Sequence, residues 1–279
     1  MRRALALGPE TFLVDRVAAD LAERLGAVLR QFDLAVDLGT PTDAVRDALA
    51  ENASIGRLIA TSALPRAAPA IVADEEALSF RDASLDLVVS ALALQFVNDL
   101  PGSLVQIRRA LKPDGLFLAA LLGGETLTEL RQAFAAAEAE VEGGISPHVA
   151  PFADVREMGA LLQRAGFALP VTDVERLTVR YSSPLILMGE LRRMGATNAL
   201  AERRRTPLRR ATLTRMAEIY AQRFADPDGK IRATFEVIWL SGWAPHDSQQ
   251  KPLRPGSAQT RLADALGTRE IGTGEKAGG

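Results

Sequence analysis

The stretch Ala35-Val36-Asp37-Leu38-Gly39-Thr40-Pro41-Thr42-Asp43 constrains the fold of this chain more than any other. An apolar strand runs into Asp-Leu-Gly and a helix follows at once, which is how a ligand-cradling turn opens in doubly wound α/β proteins. Such turns carry further glycines, because the backbone must approach a ligand closely and adopt positive φ. Here those places hold other residues. Pro41 fixes φ near about −65° and removes an N–H, and Asp43 brings an acid to the helix start. The framework reads as an enzyme, and the loop reads as one that has lost or altered its ligand.

The flanking sequence supports that frame. Leu13, Val17, Leu21, Leu25 and Leu29 recur at helical spacing and predict an amphipathic helix over Glu10–Leu29. A strand (Leu34–Leu38), a helix (Thr42–Asn52) and a strand (Arg57–Thr61) follow. The link Ser62–Pro69 carries two prolines and is too short for the usual helical crossover between parallel strands, which takes roughly a dozen residues. Then come a strand (Ala70–Ala73), the acids Asp74-Glu75-Glu76, and a strand over Leu87–Leu92. Asn98-Asp99-Leu100-Pro101 opens a helix to Leu111, Lys112-Pro113-Asp114-Gly115 is a turn, and the strand Leu116–Leu122 ends at Gly123-Gly124. A helix over Thr126–Val141, a Gly/Ser/Pro linker (Gly143–Pro151) and a helix (Ala153–Ala165) closed by Gly166 come next. Strands at Val171–Val174 and Leu177–Tyr181, helices at Pro184–Met194 and Pro207–Arg223, and a strand at Ala233–Leu240 complete the pattern. Strand–helix alternation predicts an α/β fold with a doubly wound, mainly parallel sheet, an antiparallel edge, and a helical insertion (about 184–225) before the last strand. The expected division is an N-terminal helix (1–31), one domain (32–245), and a polar, partly disordered tail (246–279).

Composition narrows the function. A formal net charge of −2 gives no electrostatic case for nucleic acid. The absence of cysteine excludes disulfides, thiolate zinc sites and cysteine nucleophiles. The two histidines, His148 and His246, are too far apart in sequence for clustered metal-ligand spacing, so no metal site is expected. Leu85–Phe96 and Leu116–Leu122, the longest apolar runs, fall short of the roughly 18–20 residues of a membrane span. Gly8-Pro9-Glu10 ends the run Ala4–Leu7 before a signal-peptide core forms. A cytoplasmic protein is the simplest expectation.

The order of an Asp-Leu-Gly loop, an acidic pair after the third strand, Ser84-x-Asp86-Leu87-Val88-x-Ser90 and Leu111-Lys112-Pro113-Asp114-Gly115-Leu116-Phe117 resembles the class I S-adenosyl-L-methionine (SAM)-dependent methyltransferases. Val97–Pro101, Gly123-Gly124-Glu125-Thr126-Leu127, Glu129-Leu130-Arg131, Ser146-Pro147-His148, Gly242-Trp243 and His246–Gln249 resemble one branch more narrowly. That branch holds the respiratory complex I assembly-factor arginine hydroxylase and its bacterial relatives, and lies near the biotin-pathway malonyl-carrier methyltransferases. The likeness runs from about Phe32 to Ala265 and implies a Rossmann-like seven-stranded sheet, SAM as cofactor, and a complex I subunit or other protein as partner, in a bacterial cytoplasm or at its inner membrane. It implies that Asp37 and Gly39 open the cofactor loop, that Asp74 and Glu75 contact the adenine, and that Ser90 to Phe96 border the methyl-donor pocket. Thr40–Asp43 replace the family's further glycines. Thr61-Ser62-Ala63 stand where the family has a ribose-binding acid, so Ser62 marks that place without a carboxylate.

Two functions follow. One is methyl transfer from SAM to a bound nucleophile, which needs proximity and orientation and no dedicated catalytic side chain. The other is a non-methylating assembly or interaction protein, or a hydroxylase, that keeps the fold without the cofactor. Several residues carry a plainer alternative. Asp37 with Gly39 can simply turn a strand into a helix, and Asp74-Glu75 can be a solvated strand end. Asn98-Asp99 is a helix cap before it is a substrate contact. His148 is either a loop or capping histidine or a general base. The run Arg203-Arg204-Arg205 with Arg209-Arg210 is either a solvated helix face or a docking site for an acidic partner or an anionic membrane surface. Trp239 and Trp243 read as packing residues.

Overall fold

Period-two alternation in the central strands sends apolar side chains to both faces of one sheet. In β5 (Leu111–Leu122), Leu116, Leu118, Ala120 and Leu122 enter one core and Phe117, Ala119 and Leu121 the other. A strand buried on both faces needs helices on both, which is the physical content of a doubly wound fold. The computed structural model describes residues 2–64, 70–250, 264, 267 and 268. Its sheet has seven strands: β1 (Phe32–Asp37), β2 (Ile55–Ser62), β3 (Ile71–Val72), β4 (Leu85–Ala91), β5, β6 (Ala168–Tyr181) and β7 (Ile231–Trp243), in the order β3-β2-β1-β4-β5-β7-β6.

Helices α2 (Phe12–Gly26), α5 (Thr128–Glu142) and α8 (Arg210–Phe224) cover one face through Leu21, Phe134 and Tyr220. Helices α4 (Leu100–Ala110) and α6 (Val155–Arg164) cover the other through Leu104, Ile107, Met158 and Leu162. Two sequence signals act as read. The Asp99 carboxylate caps α4 by accepting from the Gly102 N–H at 2.9 Å, and Gly166 ends α6 with φ +85°. Helices α7 (Pro184–Arg193) and α8 form the insertion between β6 and β7.

The structure departs from the sequence reading at six places. The reversed strand is β7, which lies antiparallel between β5 and β6, so it sits one position in from the edge. Lys112–Gly115 is a turn held inside β5 as a bulge: Leu85 pairs with Leu111, but Leu87 pairs with Leu116. Its Asp114 N–H donates to Ala244 O at 3.0 Å. Strand β6 is unbroken across Glu175-Arg176, because that charged pair finds partners on β7 and α2: Arg176 reaches Glu236 at 3.0 Å across the strands, and Glu175 accepts from Arg16 of the helix at 3.3 Å. A helix α1 (Arg2–Leu7) precedes Gly8, where the sequence reading had none. The expected helix over 42–52 is only α3 (Ala44–Ala48), since Thr42 Oγ1 takes the Ala44 N–H at 3.2 Å and delays the first turn. Edge strand β3 is two residues long. Residues 65–69 of the short crossover, and most of the tail from 251 onward, lie outside the described residues. Residues 246–279 form a unit of their own, in which His246 Nδ1 pairs with the Ser248 hydroxyl at 2.7 Å.

Candidate functional site

The chain leaves β1 toward β2 and leaves β4 toward β5, so the crevice between the carboxyl ends of β1 and β4 is the topological switch point, where ligands bind in open α/β sheets. Asp37, Gly39, Ser62, Asp74, Glu75 and Ser90 all fall on or beside the strand ends that frame it.

The turn after β1 is knitted to its neighbours by side chains of β2 and β4. Gly39, at φ +72°, donates its N–H to Thr61 Oγ1 at 3.1 Å, and the same hydroxyl donates to Asp37 O at 3.2 Å. The Ser90 hydroxyl, fully buried, donates to Leu38 O at 2.7 Å. Thr40 Oγ1 donates to Asp37 Oδ1 at 2.5 Å and accepts the Ala91 N–H at 3.1 Å. Asp37, Thr40, Thr61 and Ser90 are thus buried polar residues with hydrogen-bond partners inside the turn itself. The sequence reading took Thr40 and Thr61 only as replacements, for a glycine and for the ribose-binding acid, and not as the hydroxyls that knit the turn; a hydroxyl at a strand end carries no pattern that distinguishes it from a surface threonine.

Asp43 stands at the N-cap of α3 without capping it and pairs with Arg46 at 3.3 Å. Ser62 Oγ accepts the Leu64 N–H at 3.3 Å, and Asp74 Oδ1 accepts the Glu76 N–H at 2.9 Å. Glu75 lies across the turn: a methyl group added at Gly39 would collide with its carboxylate. Burial raises the Glu75 carboxyl above the ordinary glutamate value, and the negative charges of Asp74 and Glu76 push the same way. Glu76 fixes this acidic segment, accepting from Asn98 N at 2.6 Å and Asn98 Nδ2 at 2.9 Å.

A second polar cluster borders β5's carboxyl end. The loop 143–152 folds back on α5, where Glu138 is buried and accepts from Ser146 N (2.6 Å), Ser146 Oγ (2.7 Å) and His148 Nε2 (2.8 Å). Burial pushes the Glu138 carboxyl up, but the hydrogen bonds from His148 and Ser146 outweigh it and hold the group below the usual carboxylate range. His148 stacks on Phe134 with ring centres 3.9 Å apart. Glu138 was missed in the sequence, although its position four residues after Phe134 places it on the buried stripe of α5. The arginine run is not one helix face: Arg203–Arg205 precede α8, and Arg204 pairs with Glu142 of α5. Trp239 is buried in the core with the Arg24 guanidinium 4.3 Å from its ring centre.

This sheet order with its single reversed strand defines a class I methyltransferase fold, and residues 36–119 match the methyltransferase-domain family. The solved YcgJ protein of Bacillus subtilis superposes with a TM-score of 0.55 at 15% identity, over 83% of this chain and 99% of that one. The chain belongs to the family of the arginine-hydroxylase NDUFAF5. It is 39% identical over 264 residues to that mitochondrial protein of Danio rerio, covering 91% of this chain and 81% of the relative. The human protein gives 39% over 263 residues, covering 91% and 76%. The malonyl-[acyl-carrier protein] O-methyltransferase of Laribacter hongkongensis is 41% identical over a shorter 190 residues, 68% of this chain and 61% of that one. No helix among the described residues is long and apolar enough to cross a membrane.

Proposed function

We propose that this protein keeps the methyltransferase fold with a weakened seat for SAM, and acts, as its full-length relatives are named to act, on arginine of a protein client. The client proposed is a subunit of respiratory complex I, met in a bacterial cytoplasm or at the inner-membrane surface. One observation carries the reading: the Glu75 carboxylate lies against the open face of Gly39, where the donor's amino-acid end would need uncharged space. A carboxylate there repels the donor's own carboxylate and suits a cationic guanidinium.

Other features support it. The Gly39 N–H is already given to Thr61, Pro41 offers none, and Asp43 places an acid at the start of a five-residue helix. Thr61-Ser62 supply no carboxylate for the ribose, a loss of about 1.5–3 kcal/mol for a charge-assisted contact. Together these lower SAM affinity by roughly one to three orders of magnitude. On this geometry the turn does not fit the donor's amino-acid end. Asp37, Gly39, Ser62, Asp74 and Ser90 remain the proposed residues of the weakened seat, and Glu75, expected with them from the resemblance, is proposed instead as the group that closes it.

Calorimetric titration with SAM and S-adenosylhomocysteine tests the reading. It expects no heat below the millimolar range, and micromolar binding of either compound by the unmodified protein overturns it. The second reading, SAM-dependent methyl transfer, is favoured by Asp37, Gly39 and Asp74 standing at the family's positions; transfer of labelled methyl groups to a bacterial membrane extract would establish it.

A further inference from the structure

The cluster on α5 and the 143–152 loop borders a cleft of ≈ 550 Å³, within the size range of small-molecule sites. Its walls are largely apolar, with Phe134, Val149 and Phe152 among them, and its polar groups are few: chiefly Arg131 and His148. Two features give those groups a direction. The Arg131 terminal nitrogen Nη2 donates to both Gly124 O and Thr126 O at 3.2 Å, so the guanidinium is oriented, while no carboxylate among the described residues pairs with it. An oriented cation in an apolar cleft lacks only an anion.

His148 adds the second direction. Its Nε2 faces the Glu138 carboxylate at 2.8 Å and the Ser146 hydroxyl at 3.3 Å. Glu138 is held ionised and only accepts, and Ser146 already gives its hydroxyl proton to Glu138, so the imidazole proton sits on Nε2. That leaves Nδ1 with an unshared lone pair, and among the described residues nothing donates to it. A carboxylate that takes the N–H of one imidazole nitrogen leaves the other as the ring's hydrogen-bond acceptor in its singly protonated form. The loop does not need the ring for its attachment, since both Ser146 donors bind Glu138 and Asn198 Nδ2 holds Pro147 O at 2.6 Å.

We propose that this cleft binds a carboxylic acid with an apolar body, Arg131 taking the carboxylate and His148 Nδ1 accepting from a hydroxyl or amide N–H beside it. The carboxylate could belong to a free small acid or to the C-terminal residue of a peptide; the chemistry recognised is the same. The site is independent of the SAM question, because none of its residues belongs to the β1–β4 crevice.

The chain has two histidines, so ¹⁵N-histidine labelling gives two ring systems, and His246 in its separate unit is an internal control. The probes are 2-hydroxy-3-phenylpropanoate, its primary amide, 3-phenylpropanoate, and an acetylated tripeptide ending in phenylalanine. Before any addition, singly protonated His148 should carry its proton on Nε2 rather than on Nδ1. The hydroxy acid should shift the His148 signals saturably at about 1 mM or below, leaving His246 unmoved. The amide should bind at least about tenfold more weakly. Arg131→Met should show the same loss, with Arg131→Lys recovering part of it. His148→Gln keeps a donor toward Glu138 but has no Nδ1, so followed by calorimetry it should keep carboxylate binding and lose the preference for the hydroxy acid over 3-phenylpropanoate. A tripeptide that binds more tightly than the free acids assigns the site to a chain terminus; the reverse assigns it to a small acid. Unmoved His148 signals at about 10 mM of every probe, or equal binding of acid and amide, overturns the proposal in the unmodified protein, whatever the variants do.

Discussion

Replacing Glu75 with alanine should tighten S-adenosylhomocysteine binding, and comparison with Glu75→Gln should say why. The alanine variant removes both the bulk lying on Gly39 and the charge, whereas glutamine keeps the bulk and removes only the charge. Two unit charges about 4 Å apart interact by roughly 1 kcal/mol in water and about 4 kcal/mol at an effective dielectric of 20. Glu75 is half-buried, which places the repulsion toward the ligand carboxylate between those limits. Glutamine should therefore gain about tenfold in affinity and alanine up to about a hundredfold. A pH series gives a second, independent readout. Because the Glu75 carboxyl is raised, it protonates at a higher pH than an ordinary glutamate, so the unmodified protein should bind the ligand more tightly as pH falls. That acid-side gain should vanish in Glu75→Gln. Calorimetric titration across pH 5–8 measures both. Micromolar binding by the unmodified protein, with Glu75→Ala no tighter, would refute the argument that this carboxylate closes the seat.

Other perturbations have signs fixed by the same structure. A carboxyl raised on folding stabilises fully below its unfolded value, and that contribution is lost as pH climbs through the folded one; Glu75→Gln should raise Tm at neutral pH by a degree or two, and the gain should shrink toward pH 4. Glu138 runs the other way, since its lowered carboxyl contributes stability above about pH 4.3 that is lost as pH falls through the folded value. Glu138→Gln should cost about 1–3 kcal/mol at neutral pH in urea unfolding and flatten the acid limb. Asp99→Ala removes the cap on the Gly102 N–H and should cost about 1 kcal/mol in the same assay. Phe117→Ala empties a fully buried position stacked on Phe167 at 5.4 Å and should cost about 3–5 kcal/mol. The triple change Pro41→Gly, Asp43→Gly and Ser62→Asp should restore micromolar SAM binding only together with Glu75→Ala, and calorimetry on both combinations separates a fault in the loop from a covered glycine.

What the sequence made legible is what repeats or caps. The apolar runs over Leu85–Ala91 and Leu116–Leu122 reveal strands buried on both faces, and Leu13 to Leu25 reveal the stripe of α2, because burial imposes a period. Asp99 and Gly166 reveal helix ends because their chemistry is local. Edge elements escape this logic. Ile71 and Val72 are 49% and 61% exposed, so the core does not fix the length of β3, which the sequence reading drew over Ala70–Ala73 and the structure holds to two residues. Glu175-Arg176 looked like a break in β6, because the partners that satisfy it, Arg16 and Glu236, are remote in sequence. The candidate site shows the same limit. Gly39, Pro41 and Asp43 declared an altered turn, while the hydroxyls of Thr40, Thr61 and Ser90 are chosen by three-dimensional partners and leave no sequence period.

The closure over Gly39 is built from outside the turn. Glu76, next to Glu75, is tied through its carboxylate to both nitrogens of Asn98 ahead of α4. Its carbonyl accepts from Gln106 Nε2 at 2.9 Å, and Gln106 Oε1 accepts the Leu78 N–H at 2.9 Å. The backbone of the acidic segment is therefore pinned to α4 and its approach just after Glu75, at Glu76 and Leu78, leaving the Glu75 side chain able to move without breaking these bonds. Opening the crevice by side-chain rotation means carrying a partly desolvated carboxylate into water, where the anion is better solvated. A ligand that brings its own carboxylate gains nothing from that rotation, because it replaces one anion with another in the same half-buried place. A guanidinium gains from leaving Glu75 where it is. On the proposed reading the crevice discriminates by charge before shape, and truncating the Glu75 side chain tests that ordering more directly than rebuilding the glycines.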